Sequence, residues 1–70
     1  MKRRKQRKDE IGVGTLVKFI FGVSEVQATV IEDRGPVGAK GRRILRVRLE
    51  LEATDPIEFE VPADDVQIAA

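Results

Sequence analysis

Residues 43–61 alternate apolar and charged side chains almost without interruption, and no other feature restricts the fold as tightly. Leu45, Val47, Leu49 and Leu51 leave one side, and Arg46, Arg48, Glu50 and Glu52 the other. After a break, Ile57, Phe59 and Val61 alternate with Glu58 and Glu60. A period of two is that of a half-buried strand, whose successive side chains exit by opposite faces. Ala53-Thr54-Asp55-Pro56 lies between the two runs. Proline cannot serve a central ladder, so the chain turns there, giving a hairpin with one apolar and one charged face.

The register of this hairpin is a question of charge. One pairing sets Glu52 against Glu58 and Glu50 against Glu60, two like-charge pairs. A second sets Arg48 against Glu60 but leaves Glu50 against Glu58. A third sets Arg48 against Glu58 and Arg46 against Glu60, with Leu49 meeting Ile57 and Val47 meeting Phe59. Each exposed pair contributes only about 0.2–1 kcal/mol, yet its sign decides among registers whose apolar faces match equally. The third register lengthens the loop to residues 50–56, at a closure cost of roughly 0.6 kcal/mol per doubling of length. The second or third is expected and the first disfavoured.

Two shorter strands precede the hairpin. Gly12 and Gly14 mark a turn into residues 15–21, where Val17, Phe19 and Phe21 are natural core positions and Leu16, Lys18 and Ile20 take the other side. Two apolar faces on one strand imply a curved strand shared by both sides of a barrel, or one covered by a partner. Gly22-Val23-Ser24 ends it, and residues 25–33 form a second strand with Val26, Ala28 and Val30 inward and Ile31 outward. Residues 34–42, with three glycines and a proline, read as a loop or flexible hairpin tip. Beyond the hairpin, Pro62-Ala63-Asp64-Asp65 suits a single helical turn, and Val66-Gln67-Ile68 a short closing strand.

This pattern of five short strands, a glycine-rich loop between the second and third and one helical turn before the last resembles the SH3-like small barrel over residues 12–68. Gly14 with Val17, then Gly22, then Val30 also resembles the KOW/Tudor-type pattern, with Ala28 standing where a KOW motif usually has glycine. The resemblance implies an all-β, five-stranded SH3-like barrel over residues 11–70, and for KOW-like barrels an association with ribosomal or transcription machinery.

Charge divides the 70-residue chain. Lys2, Arg3, Arg4, Lys5, Arg7 and Lys8 put six positives into the first eight residues; seven basic and twelve acidic side chains leave the remainder at about −5. Residues 1–10, charged and without apolar period, are expected to be a disordered basic arm. Lys18 interrupts the apolar run at 11–23 and Asp9-Glu10 spoil its basic flank, which argues against a signal peptide. No run approaches the roughly 20 apolar residues that span a bilayer, so no membrane is expected. Absence of cysteine excludes disulfides and thiolate metal sites and fits a reducing cytoplasm.

The same inventory speaks against an enzyme. Ser24 is the one serine, and neither histidine nor cysteine is present to pair with it. The carboxylates fall on an alternating solvated face rather than in a cleft that would split their pKa values. No cofactor or metal is expected; Asp64 and Asp65 lack EF-hand spacing, and residues 35–41 lack the Gly-Lys-Ser/Thr end of a P-loop. Proline-peptide grooves, methyl-lysine cages and base-stacking platforms need exposed aromatics, and Phe19, Phe21 and Phe59 are all assigned to the core. Phosphate contacts need only Lys and Arg. The expected function is therefore a small non-enzymatic binding module for nucleic acid or another anionic partner. Lys2, Arg3, Arg4, Lys5, Arg7 and Lys8 of the arm and Arg34, Lys40, Arg42 and Arg43 of the 34–43 loop are its candidate anion-binding residues. The alternative is a protein-interaction module, or a small subunit, docking through its sheet.

Overall fold

The computed structural model describes residues 10–69; the expected disorder of the arm falls almost wholly outside them. Within them the chain is all-β. Five strands, β1 (Leu16–Phe21), β2 (Ser24–Gly35), β3 (Ile44–Leu49), β4 (Ile57–Pro62) and β5 (Gln67–Ile68), form one antiparallel sheet in the order β4-β3-β2-β1-β5. Among the described residues no ladder joins β4 to β5, so the sheet is open and the expectation of a closed barrel is corrected. Among the described residues no helix is long and apolar enough to cross a membrane.

β3 and β4 pair in the third register: Arg46 faces Glu60, Val47 faces Phe59, Arg48 faces Glu58 and Leu49 faces Ile57. Charge complementarity prevailed over the tighter turn. The contacts are shared more widely than a one-to-one pairing. Arg46 reaches Glu58 at 3.7 Å and Glu60 at 4.0 Å, whereas Arg48 turns along its own strand to Glu50 at 3.2 Å.

β2 departs most from its sequence pattern. Its twelve residues continue to Gly35, so the connecting loop begins two residues later than expected. The register shifts between Val30 and Glu32 and again between Asp33 and Gly35. Without the first bulge the inward series of Val26, Ala28 and Val30 would carry Glu32 toward the core. With Ile31 as the extra residue, Glu32 instead lies opposite Arg46 on the charged face. Such bulges also bend a strand and sharpen its twist.

Bending lets one sheet cover its own apolar face. Phe59 of β4 meets Phe19 of β1 edge-on, with ring centroids 5.9 Å apart, and stacks on Phe21 at 5.1 Å. β1 and β4 are separated in the sheet by two strands, so these contacts span the concave side. Val17, Val30, Leu45 and Val47 are fully buried beneath them, with Phe19, Ala28, Leu49 and Val61 close behind. Ile11, Ala63 and Val66, from segments outside β1 to β4, complete the core.

The expected core placement of Phe21 is corrected: its side chain caps the open end of the concavity and stays 47% exposed. On the other side of β1, Leu16 and Ile20 are exposed, with nothing laid over them among the described residues. The β1–β2 connection is a two-residue turn between Phe21 and Ser24. Gly22 at its first position has φ 71°, the left-handed conformation that a II′-type hairpin demands.

Because Phe59 is only partly buried, Phe59→Ala is expected to cost about 2–3 kcal/mol, below the roughly 3–5 of a fully enclosed ring. Urea unfolding of both proteins measures it, and an unchanged midpoint would remove the ring cluster from the core.

Candidate functional site

Strand direction sorts the loops into two poles. β1 and β3 run the same way, so the 22–23 turn and the 50–56 loop share one end. The opposite end holds the entry at residues 10–15, the 36–43 loop and the turn at Ala63–Asp65. This second pole gathers the loop cations singled out from the sequence.

Its scaffold is well defined. The 36–43 segment is a folded turn rather than an open tip: Gly38 N–H donates to the Arg42 carbonyl at 2.9 Å, and Gly41 N–H donates to the Gly38 carbonyl at 3.0 Å. A Cβ on Gly38 would stand 2.8 Å from Ile44 Cδ1 and 3.0 Å from the Arg42 carbonyl oxygen, so a larger residue there would require the Ile44 side chain and the loop backbone to shift. Lys40 sits at φ 59°, which projects it from the turn Ala39–Gly41 at a conformational cost. The entry segment is pinned by Gly14 N–H to the Val30 carbonyl at 2.8 Å, and by a reciprocal turn between Gly12 and Thr15.

Arg43 ties these pieces together. Its guanidinium donates to Asp33 at 2.8 and 3.3 Å and to the Ile11 carbonyl. Its own carbonyl accepts from Ala63 N–H at 2.9 Å. One residue therefore joins the end of β2, the chain entry and the 63–65 turn. The Asp33 carboxyl, hydrogen-bonded by Arg43 and then by Gly35 N–H, is held below its ordinary pKa.

The four loop candidates differ in what already neutralises them. Arg34 is the extra residue of the second bulge and lies across the charged face, 3.2 Å from Glu60 and 3.8 Å from Glu32. Arg42 lies 3.6 Å from Asp65 and 4.0 Å from Asp64. Arg43 is committed to Asp33. Lys40 alone meets no acid among the described residues. Lys2, Arg3, Arg4, Lys5, Arg7 and Lys8 lie outside the described residues. The described chain begins at this pole, where Ile11 is buried and its carbonyl is bound by Arg43.

No group of three or more potential metal ligands gathers among the described residues. The anchoring role of Arg43 escaped the sequence reading. Its only sequence signal, an arginine ten residues from an aspartate across a glycine loop, is indistinguishable from a solvated charge. The chain matches no protein-family model, no curated protein and no solved structure.

Arg43→Ala removes charge-assisted bonds to two segments and is expected to cost about 1–3 kcal/mol, with Arg43→Lys recovering only part. Asp33 gives that contact a pH signature. A carboxyl whose folded pKa is depressed contributes stability above its unfolded value of about 3.9 and loses it as pH falls through the folded value. The stability gap between wild type and Asp33→Asn, measured by urea unfolding, should be full at neutral pH and narrow below about pH 4. A gap independent of pH would show that the ion pair does not stabilise the fold.

Proposed function

We propose that this chain is a small, non-enzymatic SH3-like module that associates with nucleic acid through its basic arm, in a reducing compartment such as the cytoplasm. The fold reading is supported by the strand order, by the turn Ala63–Asp65 just before β5 and by the pairing of β5 with β1. The observation that carries the functional reading is the anchoring of Ile11 by Arg43 at the pole that also holds Lys40, because the six cations precede Ile11 in the sequence.

The division of labour is uneven. Arg34, Arg42 and Arg43 face carboxylates, so the described part of this pole is close to neutral. Positive potential comes from the arm, together with Lys40, the loop cation that meets no acid among the described residues. Such contacts are made to phosphates and are blind to sequence. The charged face of the sheet, with Glu50, Glu58 and Glu60 exposed, would repel phosphates and leaves this pole as the point of approach.

Deleting residues 2–8 should leave the melting temperature nearly unchanged. The same deletion should flatten the slope of log K against log salt on duplex DNA by about 0.9 per lost phosphate contact. Lys40→Ala should flatten it by about one contact, and Arg42→Ala by less, since Arg42 begins in an ion pair. Absence of measurable affinity of the intact protein for duplex or single-stranded nucleic acid at about 50 mM salt, where such contacts are strong, overturns the reading.

A further inference from the structure

At the pole away from the chain entry, Phe21 is 47% exposed, Ile57 41% and Leu51 39%. Phe21 and Ile57 share one surface with Phe59. Phe21 stacks on Phe59, and Ile57 lies two residues before Phe59 on the same face of β4, opposite Leu49. Val23, at the tip of the adjoining turn, is 99% exposed and extends it. The interior of the curled sheet thus reaches solvent at this end, where the stacked rings are covered on one side only.

The loop beside this surface carries charge of one sign. The 50–56 loop contributes Glu50, Glu52 and Asp55, all exposed. Glu50 is met by Arg48, whereas Glu52 and Asp55 meet no cation among the described residues. Two such surfaces pressed together would bring like charges into contact, so pairing with a second copy is disfavoured. The arm of another copy offers cations but only Met1 to cover the rings. An anionic lipid surface would be repelled. The fitting occupant has an apolar ridge flanked by lysine and arginine.

We infer that this apolar end is a docking site for a basic amphipathic segment of a protein partner, with Phe21, Ile57 and Phe59 receiving its apolar side chains and Glu52 and Asp55 its cations. This site lies at the opposite pole from the chain entry and does not depend on phosphate binding. A chain with both would connect a polyanion at one end to a basic protein at the other.

The test uses the isotopically labelled full chain and a synthetic amphipathic peptide of about 18 residues, long enough for several helical turns, with Leu and Phe on one face and Lys and Arg on the other. Backbone amide shifts should concentrate in residues 20–24 and 49–59. A peptide with the same apolar face but Glu for every Lys and Arg should bind at least about tenfold more weakly. Ile57→Ser should abolish the shifts. The exposed double variant Glu52→Lys with Asp55→Lys, outside the ladders and so neutral to folding, should weaken the basic peptide about tenfold. No shift at about millimolar peptide, equal binding of the two peptides, or shifts confined to the arm pole would each overturn the proposal. So would concentration-dependent self-association in sedimentation that Ile57→Ser removes, because it would assign the surface to a second copy.

Discussion

The contact between β1 and β4 across the concave side, where Phe59 meets Phe19 and Phe21, is the constraint on which the rest of this structure depends. A single sheet buries an apolar face only if something covers it, and among the described residues there is no α-helix and no second sheet to do so. It covers the face by curling. Two bulges near the far end of β2 bend the strand that must turn furthest, and the first also returns Glu32 to solvent. The three rings then fill the space between β1 and β4. Their large apolar area suits a chain short enough for its core to be marginal.

A curled open sheet has loose ends, and one side chain secures most of them. Arg43 binds Asp33 beside the second bulge, the Ile11 carbonyl at the chain entry and, through its backbone, the 63–65 turn. Ile11, Ala63 and Val66 are thereby held against the core from segments that no long ladder includes. The edges are guarded differently. β4 carries Glu58, Glu60 and Pro62, a charged and interrupted edge unsuited to further strand pairing, and β5 is only two residues long.

This construction separates two kinds of surface. At the entry pole, arginines and carboxylates neutralise one another in holding the fold, so net positive charge depends on the arm. At the other pole the curl is incomplete, and aromatic and aliphatic side chains meet solvent beside an acidic loop. The two surfaces lie at opposite poles of the sheet, so neither obstructs the other.

The alternation at 45–51 and 57–61 determined the hairpin, its buried face and, through the signs of Arg46, Arg48, Glu58 and Glu60, its register. These were legible because a strand's side-chain period and the pairing of opposite charges are local properties of neighbouring residues. Tertiary structure alone decided that the sheet remains open, that Ile31 and Arg34 become bulge residues and that Phe21 stands half in solvent. It also decided that Arg34, Arg42 and Arg43 spend their charge on acids of this chain rather than offering it whole to a ligand. An arginine's partner is set by which distant carboxylate the curl brings within reach, and a strand's bulge by the closure it must permit. Both depend on the path of the whole sheet, which no window of residues contains.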